Sequence, residues 1–254
     1  MIERLREWFR RDQSFNQSES FTRLKTLESS LGFSIPAKDQ SVFLQAIRHR
    51  SIVDNEQFES HETYERLEFL GDAVLDLIVT EILFEKYPTK NEGFLTKLRS
   101  KIVKGETLAI IADELQFSEA LEVGERSSGQ GIEFSKSVLA DVYESVIAAI
   151  YISKGYDFTY NFVLSNVNNY LDFETLENTV DNYKSLLMEY FQSESASLPS
   201  YKVLAEEGPG HDKTFTVGVY FDEQKLGEGV GKSKKKAEQH AAKAAIKNLG
   251  FIKI

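Results

Sequence analysis

The hydrophobic period of this 254-residue chain changes once, and that change constrains the fold more than any other feature. Up to about residue 171, apolar side chains recur every three or four positions, the repeat of amphipathic helices, and nothing alternates at the period of a strand. The spacing predicts helices over residues 21–31, 41–50, 63–87, 94–103, 107–115, 137–153 and 155–171, with Pro88 closing the third. The last seventy or so residues read differently. A helix over 183–193 is followed by alternating stretches over 201–206, 214–221 and 224–231, then by a helix over 234–249 that Ser233 caps. An α-β-β-β-α order puts both helices on one face of an antiparallel sheet. The expected fold class is therefore an all-α domain followed by a small α+β domain. The expected division is an extension over residues 1–20, a helical domain over 21–175, a linker over 176–182 and the second domain over 183–251. Residues 172–182 as a whole are acidic and polar, and residues 124–131 are rich in Gly and Ser and read as a flexible loop.

The chain has no cysteine, which excludes disulfides, thiolate metal sites and cysteine nucleophiles. Its charged start, with Trp8 and Phe9 as the only large apolar anchor, has no apolar run, and no stretch is long enough to span a membrane. A cytoplasmic protein is expected. A net charge of -10 argues at first against a nucleic-acid partner. The charge is uneven, however. From Tyr183 onward, 11 Lys and no Arg stand against 9 acids, a net +2, so the preceding part carries -12. The two parts have different electrostatic characters and are expected to do different jobs.

Two helices carry the chemistry. In the segment from Tyr64 to Ile78, Leu67, Leu70, Val74, Leu77 and Ile78 share one face and should meet the core. Glu65, Glu68, Asp72 and Asp76 share the other, three or four apart, where like charges repel. Phe69 also falls on that acidic side, and Gly71 in mid-helix signals a close approach by another element. In the helix over 137–153, apolar residues cover nearly the whole circumference except a narrow strip holding Asp141 and Glu144. Buried carboxylates need partners. A solvated acidic face would explain the first helix alone, but not the second. If the two face each other, Glu65, Glu68, Asp72, Asp141 and Glu144 form one cluster. Arg66 is the only basic residue among the acids of the first helix, too few for a salt-bridge core. Oxygen ligands without nearby His or Cys suit a hard cation such as Mg2+, which binds through a few carboxylates together with substrate phosphate. His49, at the end of the helix over 41–50, reads as structural rather than as a ligand.

At the other end of the chain, Lys232, Lys234, Lys235 and Lys236 crowd the amino end of the last helix, where cations oppose the helix dipole. A phosphate backbone above them would use both the lysines and the free amides.

These segments resemble the ribonuclease III family of bacteria. YERLEFLGDAVLDL is similar to its signature, and HRS before it, NEGFLTKLRS after it and LADVYESVIAAIY further on occur in the same order. The segments YKSLLMEYFQ, LPSYKVLAEEGPGHDKTF and GEGVGKSKKKAEQHAA resemble its double-stranded-RNA-binding domain. Together the matches cover most of residues 40–250. The resemblance implies a Mg2+-dependent endoribonuclease, able to use Mn2+, that cuts both strands of double-stranded RNA to 5′-phosphate and 3′-hydroxyl ends and processes ribosomal RNA precursors and other duplex transcripts. It implies Glu68, Asp141 and Glu144 as metal ligands, Asp72 and Glu144 as catalytic, and Glu65 and Glu92 as an outer acidic shell. It implies Phe69 as a contact within a homodimer. Ser185, Glu189, His211, Lys232, Lys234 and Lys235 would bind RNA. Met188 stands where the family usually has glutamine, and Ser185 where threonine is common, which bears on sequence preference. The rival reading is a duplex-RNA-binding protein that keeps the fold without the activity.

Overall fold

Periodicity places the helices, and local signals end them. The computed structural model describes residues 17–55, 58–125, 127–180, 182–194, 197–210 and 212–250. Helix α1 runs Gln17–Leu31 and α2 Gln40–Ala46. The long α3, Glu65–Lys86, ends where Tyr87 leaves helical geometry one residue before Pro88. Asn91 caps α4, Glu92–Ile102, by accepting the Phe94 amide. Helix α5 spans Gly105–Glu114, and α6 spans Lys136–Lys154. Gly155, at φ +86, breaks α6 from α7, Tyr156–Tyr170.

The core of this domain is built around α6. Val142, Tyr143, Val146, Ile147, Ala148, Ala149 and Ile150 are completely buried. Helix α3 lies directly against it. The contact is closest at Gly71, where an added methyl would overlap the Glu144 carbonyl.

Three sequence expectations change. Leu77 was expected to face the core, yet it is 51% exposed. It sits at the margin of the apolar arc, beyond the buried line of Val74, Leu75 and Ile78. The helix expected over 41–50 stops at Ala46. Arg48 instead pairs with Glu122 in an isolated bridge, where the His49 amide donates to the Glu122 carbonyl (2.8 Å) and the Glu122 amide to the Ile47 carbonyl (2.7 Å). A partner distant in sequence won over the local pattern. Finally, the stretch 172–182 contains a short helix α8, Phe173–Asn178. The Tyr87 hydroxyl donates to Glu177, and Lys101 Nζ donates to the Leu176 carbonyl at 2.6 Å, so the stretch as far as Glu177 is fastened to the helical domain.

The chain divides into two compact units between Glu177 and Asn178. The second begins with α9, Tyr183–Glu194, which Asn182 caps by accepting the Ser185 amide. Strands β1 (Ser200–Glu207), β2 (Thr214–Phe221) and β3 (Gln224–Gly231) form an antiparallel sheet in that order. Helix α10, Lys234–Leu249, packs on it. Gly227, Gly229 and Gly231 lie against the backbone of α10 near Ala237, Ala241 and Ala245, where side chains on β3 would not fit. Leu187, Phe191, Val217 and Val219 complete this second core. The expected fold class, helical domain and then α-β-β-β-α domain, is the one observed. Among the described residues no helix is long and apolar enough to cross a membrane.

Candidate functional site

Helices α3 and α6 bring their acids into one electrostatic group. The Glu144 carboxyl is pushed up to about 8, first by burial and then by Asp72, Glu68, Asp141 and Asp76. Glu68 is raised by burial and by Asp141, Glu65 and Asp72. Asp141 is raised mainly by burial, although the Tyr64 hydroxyl, 3.4 Å from its Oδ2, opposes this. Carboxylates that hinder one another's ionisation form a strongly anionic group. Among the described residues, no Lys or Arg forms an ion pair with Glu68, Asp72, Asp141 or Glu144. Arg50 lies 3.8 Å from Glu65, and its charge also works weakly against the raised carboxyl of Asp141.

This donor set fits a hard divalent ion. Glu68, Asp141 and Glu144 would hold it, with Asp72 beside them and Glu65 at the margin. Among the described residues, no three acids or imidazoles are already closed to ion-binding distance, so the carboxylates neighbour one another without converging on a point. Gly71 sets their separation, because it lets α3 approach α6 between Glu68 and Asp72.

Glu92 stands apart. It lies in the first turn of α4, accepts from Thr96 at 2.9 Å, and is not among the charges that shift Glu68, Asp141 or Glu144. His49 is occupied locally, its Nδ1 accepting the Ser51 amide at 3.1 Å. Phe69 projects from α3 with 83% of its surface exposed. Sequence reading missed two participants. Asp76, left out of the expected cluster, adds to the field at Glu144. Tyr64, read only as the start of the signature, reaches Asp141; its position four residues before Glu68 was the available signal.

In the second unit the lysines gather as expected. The Ser233 hydroxyl accepts the Lys236 amide at 3.2 Å, and Lys232, Lys234 and Lys235 are exposed beside this helix start. Their crowding is partly offset by acids. Lys232 Nζ lies 2.6 Å from Asp212, while Lys234 (3.0 Å) and Lys213 (3.4 Å) share Glu206. Ser185 and Glu189 are one turn apart on α9, with Glu189 exposed. His211 and residues 1–16, with Trp8 and Phe9, lie outside the described residues.

The fold and these two sites define a helical, acid-centred domain joined to a basic α-β-β-β-α module of the kind that binds duplex RNA. Residues 39–171 match the family described as ribonuclease-III-like, and residues 183–249 match the double-stranded RNA binding motif. Ribonuclease 3 of Chlorobaculum tepidum is 44% identical over 210 residues, which is 82% of this chain and 77% of that protein. Ribonuclease 3 of Geobacillus thermodenitrificans is 37% identical over 239 residues, 94% of this chain and 96% of that protein. Among solved structures, the nuclease domain of ribonuclease III from Campylobacter jejuni, described with flexibility in a region involved in dimer formation, is similar at a TM-score of 0.52. It is 33% identical and covers 58% of this chain and 98% of that one. The chain belongs to the ribonuclease III family and is an endoribonuclease of that type.

Proposed function

We propose that the protein is a Mg2+-dependent enzyme that hydrolyses both strands of double-stranded RNA as a homodimer, leaving 5′-phosphate and 3′-hydroxyl ends. The observation that carries this reading is the group of acids from α3 and α6 whose carboxyls are raised by burial and by one another, with Arg50 at the margin as a nearby cation. A bound divalent ion, Mg2+ or Mn2+, would neutralise these charges, lower the pKa of an attacking water and offset phosphate charge. Glu68, Asp141 and Glu144 would hold it, and Asp72, exposed at the rim, would face the substrate side. Without cations these carboxylates repel RNA, so substrate must be held elsewhere. The lysines at the start of α10 are suited to that, with the helix amides beside them. A-form duplexes are read through shape, phosphates and 2′-hydroxyls, so broad sequence tolerance is expected. Ribosomal RNA precursors and other duplex transcripts in the cytoplasm are the proposed substrates.

Dimerisation is supported by the outer surface of α3. Phe69, Leu77 and Phe84 are 83%, 51% and 71% exposed, an apolar stripe a monomer gains nothing from. A cavity of about 520 Å³ opens between α3 and α4, with Leu83, Phe84 and Leu95 on its apolar side and Lys90, Glu92 and Arg99 at its charged side. It has room for a phenyl ring, and Phe69 of a second copy would enter it. Two copies would supply one acidic site per strand.

The test is cleavage of an end-labelled RNA duplex by the full chain, with Mg2+ and with EDTA. Cutting of both strands only with Mg2+, lost in Glu144→Gln while duplex binding persists, is the expected result. Tight binding without cutting in the wild type would instead make it a binding protein.

A further inference from the structure

We infer that Tyr64 is a positioning residue for the acidic site, its phenol holding the Asp141 carboxylate so that the other carboxylate oxygen is presented to the divalent ion. The inference rests on the metal-site reading above and goes beyond it in assigning a neutral, buried side chain to the site.

Tyr64 stands immediately before α3 and is only 3% exposed. Its hydroxyl lies 3.4 Å from Asp141 Oδ2, across 77 residues of sequence. Its carbonyl accepts the amides of Leu67 and Glu68, both at 2.8 Å, and so starts the turn that carries Glu68. One residue therefore sets the start of the first acidic helix and touches the second. It is also held firmly. The Tyr64 amide donates to the Arg48 carbonyl at 2.9 Å, and its ring packs against His49 at a centroid distance of 5.8 Å. Just upstream, Gln45 donates to the His61 and Thr63 carbonyls, both at 3.0 Å, and Arg48 donates to the Glu62 carbonyl at 3.2 Å. A donor clamped on this side fixes the orientation of the group it touches.

The chemistry is that of an outer-shell partner. A ligating carboxylate has two oxygens, and a hydrogen bond to one fixes its rotamer and favours its ionised form. The phenol hydroxyl is an uncharged donor, so it can hold Asp141 without adding charge to the site.

The experiment is Mn2+ binding to the RNA-free full chain, measured by titration calorimetry for wild type, Tyr64→Phe, Tyr64→Leu and Asp141→Asn. Removing an outer-shell partner weakens metal binding by about 10–100-fold. Tyr64→Phe is expected to weaken Mn2+ about tenfold while unfolding in EDTA at nearly the wild-type temperature, because the ring remains. In cleavage assays the Mg2+ concentration for half-maximal rate should rise by a similar factor, with the rate at saturating Mg2+ largely preserved. A ring that served only packing would leave Tyr64→Phe like wild type and would penalise Tyr64→Leu alone, which would overturn the inference. Wild-type Mn2+ binding that Asp141→Asn abolishes and Tyr64→Phe leaves unchanged would sink the role of Tyr64 while sparing the metal site. No Mn2+ binding by the wild type would sink both.

Discussion

Glu144 shows what gathering carboxylates in a half-buried site costs a protein. Its carboxyl is raised from 4.5 to about 8, so between those values the folded state binds more protons than the unfolded state. Stability therefore falls as pH rises through this window and levels off above it. The raised carboxyls of Glu68 and Asp141 act in the same direction. We expect the metal-free protein, scanned calorimetrically in EDTA, to melt at progressively lower temperature from pH 5 to 8. Mg2+ should flatten that slope. Glu144→Gln should also flatten it and raise the melting temperature at pH 8, by about 2–4 °C for each kcal/mol of relieved repulsion. A pH-independent melting temperature in EDTA would contradict the raised carboxyls, whether burial or repulsion raises them. The acids themselves were legible in the sequence, because spacings of three and four place them on one helix face. Tyr64 was not, because an aromatic residue at a helix start reads as core, and its hydroxyl acquires meaning only opposite Asp141.

At the scale of elements, the decisive contact is that of α3 on α6. On helix propensity alone, Gly71→Ala would stabilise α3 by about 1 kcal/mol. Here the methyl would overlap the Glu144 carbonyl, and overpacking of this kind costs about 1–3 kcal/mol. The two effects have opposite signs, so the measurement decides between them. We expect Gly71→Ala to unfold at lower denaturant concentration than wild type and to lose cleavage activity as Glu68 and Asp72 move away from Asp141 and Glu144. A more stable variant with full activity would show that the approach is not constrained. The glycine was readable as a sign of close packing, but its partner was not. The same limit explains the helix expected to reach residue 50, since the periodicity continued but the backbone at Arg48 and His49 found Glu122 instead. In the second domain the strands begin and end almost where their alternation does, because each pairs with its neighbour in sequence, although the register shifts between Val203 and Ala205 and between Val219 and Tyr220.

For the whole molecule, the question is how an acidic chain works on a polyanion. The basic module supplies attraction, although Glu206 and Asp212 hold some of its lysines in reserve. The helical domain supplies the anionic site, and the apolar stripe on α3 is the surface proposed to meet a second copy. Truncating an exposed aromatic on a monomer is nearly neutral. Phe69→Ala is therefore expected to leave the melting temperature of the isolated subunit unchanged while shifting the protein from dimer to monomer in sedimentation equilibrium. Cleavage should fall with dimer content, and an unaltered dimer would exclude Phe69 from the interface.

By itself, the sequence determined the two kinds of periodicity, the acids on one face of each of two helices, and the lysines crowding the start of the last helix. All of these depend on neighbours a turn or a strand step apart. Only the tertiary structure decided that Glu68 and Asp72 meet Asp141 and Glu144, that Leu77 faces outward, and that Tyr64 belongs to the site. Those outcomes depend on which surfaces touch across some seventy residues of chain, and the close approach at Gly71 settles them.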